Sequence, residues 1–152
     1  MANNKILIMV GLFAAVGLFT IPLFSGNVDT DKPLAMIYKS PTCGCCVGYA
    51  GYLERQGFDV KTIMTEDMTS IKETHDIPKN MESCHTVVID DYFIEGHIPI
   101  EAVNTMLAEA PNIDGIALPG MPSGSPGMPG IKNTKFTIYG LSDGKTSIYK
   151  VI

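Results

Sequence analysis

Residues Ile6 to Phe24 run for 19 positions without a charged side chain, behind a single Lys5. A membrane span needs roughly 20 such residues, so this stretch decides how the rest of the chain can be used. A cleaved signal ends on small residues at the cut. The exit here reads Pro22-Leu23-Phe24-Ser25-Gly26-Asn27, a poor match. The stretch therefore reads as an uncleaved anchor in preference to a cleaved signal. On this division residues 1–26 are a signal anchor or signal peptide, 27–33 a linker, and 34–152 the working domain. That domain is expected outside the cytoplasm, in the periplasm of a bacterium, held at the inner membrane by residues 6–24.

The remainder is long enough for one ordinary domain. Leu34 to Tyr38 reads as a short buried strand, broken at Ser40-Pro41 because proline cannot donate to a ladder. A helix is predicted from Gly44 to Gln56, capped by Gly57, with Val47, Ala50 and Leu53 on its buried side. Phe58 to Met64 reads as a second strand, and Glu66 to His75 as an acid-led helix. Thr86 to Ile89 and Tyr92 to Glu95 form a strand pair across Asp90-Asp91, and Pro99 opens a helix reaching Ala110. The order β-α-β-α-β-β-α is that of a thioredoxin-like α/β domain. Between Pro111 and Gly130 five residues are glycine and five proline, which predicts an irregular loop. Lys135 to Tyr139 and Thr146 to Val151 then read as a C-terminal hairpin across Ser142-Asp143-Gly144.

Three thiols fall within four positions, in Thr42-Cys43-Gly44-Cys45-Cys46, at the predicted strand-to-helix junction. A helix N-terminus offers free amide donors and partial positive charge, which favour thiolate over thiol. The fourth cysteine, Cys84, is followed at once by His85 and precedes the third strand. The topology thus lets Cys43, Cys45, Cys46 and Cys84 converge. Cys43 and Cys46 satisfy the Cys-x-x-Cys spacing of dithiol exchange, but Cys45 would compete for any mixed disulfide. Crowded thiolates suit Cu(I), with bridging sulfurs and more than one ion, and zinc is the alternative. The net charge of −5 and the lack of a basic stretch exclude nucleic acid as a partner.

His97, in Glu95-Gly96-His97-Ile98-Pro99, and His85 are candidate nitrogen ligands. In a strand, His85 should face away from the residue before it. Met121 and Met128 lie in the Gly/Pro loop. Thioethers bind Cu(I) and also fill gaps, and Met121 is kept as a candidate ligand. Met36, Met64 and Met106 read as core, His75 as a solvated helix end, and Tyr49 and Tyr52 as packing beside the cysteines.

The motifs Ser40-Pro41-Thr42-Cys43-Gly44-Cys45-Cys46, Ser83-Cys84-His85-Thr86, Glu95-Gly96-His97-Ile98-Pro99 and Pro119-Gly120-Met121-Pro122-Ser123-Gly124-Ser125-Pro126-Gly127-Met128 resemble, in this order, the CopG-like family. These are exported bacterial metal-binding proteins tied to copper resistance. The resemblance spans about residues 34–150 and implies a thioredoxin-like fold. It also implies a multinuclear copper site on Cys43, Cys45, Cys46 and Cys84, and interconversion of Cu(I) with Cu(II). Two positions depart from the pattern: Tyr49, where tryptophan is expected, and Pro129, where an acidic residue is expected. The leading expectation is an exported copper-holding protein serving copper resistance, with copper-export or copper-resistance proteins as partners. The alternative is a membrane-tethered thiol–disulfide oxidoreductase using Cys43 and Cys46.

Overall fold

The first strand, β1 (Leu34–Lys39), alternates, with Ala35, Ile37 and Lys39 turned inward. Helix α1 (Gly44–Arg55) follows after Pro41 and buries Cys46, Tyr49, Ala50 and Leu53. Their spacing of three, one and three places them on one helical stripe. The chain returns as β2 (Asp59–Met64), parallel to β1. Asp67 caps the short helix α2 (Met68–Thr74) by accepting from the Ser70 amide at 2.9 Å. A 3₁₀ turn over Lys79–Met81 leads into β3 (His85–Ile89), and β4 (Tyr92–Glu95) pairs with it antiparallel. Helix α3 (Ile100–Glu109) ends on Ala110, in the left-handed region, before Pro111. Strand β5 (Gly115–Ala117), a long loop, β6 (Thr137–Ser142) and β7 (Lys145–Val151) complete the chain. This computed structural model describes residues 32–152. The apolar stretch at residues 6–24 lies outside them, and with it the expected anchor. Among the described residues no helix is long and apolar enough to cross a membrane.

The seven strands of the described residues form one sheet, in the order β2-β1-β3-β4-β5-β6-β7. Side chains on successive strand residues face opposite sides, so two cores form. Ile94, Ile116 and Ile138 join residues of α1 and α3, among them Leu53 and Met106. Phe93, Ala117 and Leu141 meet Ile77 and Met81 from the segment after α2. Helices therefore cover both faces of a mixed α/β sheet.

The expected element order through α3 is observed. Four expectations fail for physical reasons. Strand β5 forms inside the Gly/Pro-rich segment, because pairing parallel to β4 and antiparallel to β6 satisfies its backbone. Gly115 is required there: a Cβ on it would stand 2.6 Å from Phe93 Cγ. Val47 lies on the outer face of α1 and is 63% exposed, while Ala50, Leu53 and Tyr49, the last read as packing, are in the core. Met64 ends the edge strand β2 and is exposed, not core. Helix α2 begins only at Met68, so Glu66 precedes it and Asp67 acts as its cap. The C-terminal hairpin forms with Asp143 and Gly144 both at positive φ, as a tight two-residue turn requires.

Candidate metal centre

The loop after β1 delivers Cys43 to the N-cap of α1, its amide donating to the Ser40 carbonyl at 3.2 Å. Cys45 and Cys46 follow in the first helical turn. Cys84 arrives from the other side of the sheet connection, in the last position before β3. The four sulfurs lie within 4.8 Å of one another. Cys43 and Cys46 are joined as a disulfide, and Cys45 and Cys84 are free thiols. Cys45 Sγ stands 3.5 Å from Cys43 Sγ and 3.6 Å from Cys84 Sγ. The convergence expected from topology is therefore realised.

Cys84 also opens onto a nitrogen set. Its Sγ is 3.4 Å from His85 Nδ1 and 3.3 Å from His97 Nε2, and the three donors form a compact triad. His85 does not face away from Cys84 as strand alternation suggests. Cys84 is outside β3, so the alternation does not constrain it, and the imidazole folds back toward the thiol. His97 Nδ1 lies 2.7 Å from the Pro126 carbonyl. A carbonyl can only accept, so Nδ1 carries the proton and Nε2 presents its lone pair to the sulfur side. Among the described residues His85 Nε2 is a buried nitrogen without a partner.

Burial dominates the site's electrostatics. It pushes the Cys84 thiol up to about 12, with the Cys45 thiol beside it adding to the effect. Cys84 sits off the helix end and faces another thiol, so no helix terminus offsets the burial. Burial lowers His85 to about 3, helped by His97 and the Lys72 ammonium, and lowers His97 as well. Both imidazoles are accordingly neutral and able to ligate. Tyr49 packs against both, its ring centroid 4.7 Å from that of His85 and 5.5 Å from that of His97, and the two imidazoles are themselves 4.7 Å apart. Its hydroxyl donates to the Ile98 carbonyl at 2.9 Å.

A buried ion pair, Lys72 with Glu95, lies behind the Cys84 loop. Burial raises the Glu95 carboxyl, and Lys72 opposes that rise. Sequence reading singled out neither residue. The signal for Glu95 was a lone acid closing an apolar strand, whereas Lys72, in a polar helix, carried none. Met121 lies in the loop after β5 with φ of 45° and is 40% exposed, and Met128 is half-buried. His75 is half-buried against Phe93, with ring centroids 5.7 Å apart, instead of fully solvated.

Reduced, the arrangement offers four sulfurs and two neutral imidazole nitrogens. This is a soft donor set that fits Cu(I) or zinc and not a hard cation. With Cys43 and Cys46 bonded, two of those sulfurs are withdrawn, so reduction and metal capacity are linked.

Comparison with known proteins agrees with this chemistry. The family model described as "Protein of unknown function, DUF411" matches residues 81–128, the stretch that holds Cys84, His85, Glu95, His97 and Met121. No curated protein matches the chain. Two solved structures, named "Copper resistance protein copG- Form 1" and "Copper resistance protein copG- Form 2", are similar to it. Each shares 36% sequence identity and a TM-score of 0.73, over 80% of this chain and 98% of theirs. The chain belongs to the CopG family of copper resistance proteins.

Proposed function

We propose that this protein holds Cu(I), as a multinuclear cluster bridged by cysteine thiolates, in copper resistance outside the cytoplasm. The observation that carries the reading is the approach of four sulfurs to within 4.8 Å of one another. Cu(I) takes few ligands, so four such sulfurs around one point favour bridging and more than one ion. His85 and His97, meeting at Cys84, supply nitrogen donors on one side. Met121 is the loop's candidate thioether. The strand order β2-β1-β3-β4, with β1 parallel to β2 and antiparallel to β3, supports a thioredoxin-like reading of the first seven elements. The uncharged stretch at residues 6–24 supports export and retention at the inner membrane. The same thiols can serve redox cycling. Two Cu(II) ions, each taking one electron from the Cys43 and Cys46 thiols, yield two Cu(I), the disulfide and two protons.

A second reading is favoured by one observation, the Cys43–Cys46 disulfide at the N-terminus of α1. That is the arrangement of a dithiol oxidoreductase. Anaerobic titration of the reduced protein with Cu(I) against a competing chelator separates the two, with bound metal counted per chain. Two or more copper ions, lost in Cys45→Ser, are expected for the cluster. Weak copper binding with intact disulfide exchange in Cys45→Ser establishes the oxidoreductase. A single zinc ion per chain in place of copper would rule out the cluster.

A further inference from the structure

We propose that Glu95 is a positioning residue for the metal site, its buried carboxylate holding the Cys84–His85 dipeptide from both ends. Glu95 closes β4 and has no solvent exposure. Its Oε1 accepts from the Ser83 amide and from Lys72 Nζ. Its Oε2 accepts from Thr86 Oγ1 at 2.6 Å, and Lys72 Nζ donates to that same hydroxyl at 3.3 Å. Ser83 immediately precedes Cys84, and Thr86 immediately follows His85. One carboxylate thereby fixes the residues on either side of both donors.

The backbone beside Glu95 continues the arrangement. The Gly96 amide donates to the His85 carbonyl at 3.2 Å. Gly96 has φ of +85°, and a Cβ on it would stand 2.8 Å from Ser83 Oγ, so the loop packs directly on that glycine. The next residue is His97, whose Nε2 reaches Cys84 Sγ. Three donors from two chain segments are thus referred to one buried group.

Stability alone does not account for such a group. A buried ion pair often adds little over an apolar pair of the same volume. What an apolar pair lacks is two acceptor oxygens aimed at the Ser83 amide and the Thr86 hydroxyl. Partners that orient metal ligands have large effects on affinity for that reason.

The inference rests on the metal-holding reading for its purpose, but its test does not. The full reduced chain is treated with iodoacetamide, and the alkylation of Cys84 relative to Cys45 is mapped by mass spectrometry. In parallel, Cu(I) affinity is measured against a competing chelator. Glu95→Gln is expected to raise the Cys84-to-Cys45 ratio several-fold and to weaken Cu(I) binding by about tenfold or more. Ile138→Ala, a core substitution in β6, is expected to lower stability and leave the ratio alone. Thr86→Val, which removes the hydroxyl that donates to Glu95 and accepts from Lys72 but leaves the carboxylate on the Ser83 amide, is expected to move the ratio less in the same direction, and Thr86→Ser to restore it. A folded Glu95→Gln with an unchanged ratio, or a ratio moved equally by Ile138→Ala, overturns the proposal. If Glu95→Gln does not fold, Thr86→Val decides in the same way. If the wild type takes up no Cu(I) while the ratio still responds, the positioning role stands and the metal reading falls.

Discussion

Gly127 lies flat against the backbone of Tyr49, so close that a Cβ on it would stand 2.6 Å from the Tyr49 amide nitrogen. Pro126, one residue earlier, accepts from His97. The Gly/Pro-rich loop is thus pinned to α1 and to the site at adjacent positions.

Gly127 and Gly120 share φ of +79°, but a Cβ on Gly120 would meet nothing within 4 Å. Alanine at Gly120 should cost only the left-handed backbone term, about 1–2 kcal/mol. Gly127→Ala adds the clash, so its loss in urea unfolding should be clearly larger. Its loop should also be cut faster by protease near residues 119–130. Equal losses for the two variants would show that the contact with α1 carries no energy.

The oxidised chain should show two alkylatable thiols, Cys45 and Cys84, and four after reduction. Cu(I) uptake should rise with the second pair. Counting thiols by mass and copper by elemental analysis on the same samples checks this. Equal copper per chain in both states would place the metal away from Cys43 and Cys46.

Acid should destabilise the metal-free protein through His85. Its folded value, about 3, lies below its ordinary 6.5, so between these the unfolded chain binds the extra proton. Stability is fully present above about pH 6.5 and is lost as the pH falls toward 3. The slope reaches at most about 1.4 kcal/mol per pH unit for one histidine. Urea midpoints from pH 7.5 to 5 measure it, and His85→Asn should flatten the profile. A slope unchanged in His85→Asn would assign the acid sensitivity elsewhere.

Tyr49 bears on packing and on one hydrogen bond, which two substitutions separate. Tyr49→Phe strips the donor from the Ile98 carbonyl and should cost about 1 kcal/mol. Tyr49→Ala removes a fully buried ring from beside both imidazoles and should cost about 3–5 kcal/mol. Denaturant unfolding of both variants reads the two effects, and a neutral Tyr49→Ala would contradict the packing described.

The sequence made the site's sulfur half legible and its supporting half obscure. Local signals suffice for Cys43, Cys45 and Cys46: a proline break, a helix start and tight spacing. Placing Cys84 beside them needed the longer β-α-β-α-β-β-α order, in which the third strand lies next to the first. His85 was legible as a candidate nitrogen ligand, but its orientation was not, because strand alternation does not carry across the strand boundary at Cys84. Lys72 and Glu95 were missed because their pairing joins α2 to β4, a relation without local pattern. Strand β5 was hidden for a similar reason: three residues in a glycine- and proline-rich segment become a strand only when β4 and β6 flank them. Val47 was misplaced because the helix's buried stripe is set by the sheet it meets, and that stripe runs through Cys46, Tyr49, Ala50 and Leu53.

The donors come from three stretches of chain, and Cys84 follows Cys46 by 38 residues. A nascent chain presents the trio Cys43, Cys45 and Cys46 first. It gains Cys84 and the histidines only when β3 has docked beside β1 and β4 beside β3. Ligands that must be gathered by folding hold metal tightly only once folding is complete. Order of synthesis becomes order of affinity, and tight capture of the metal marks a finished molecule.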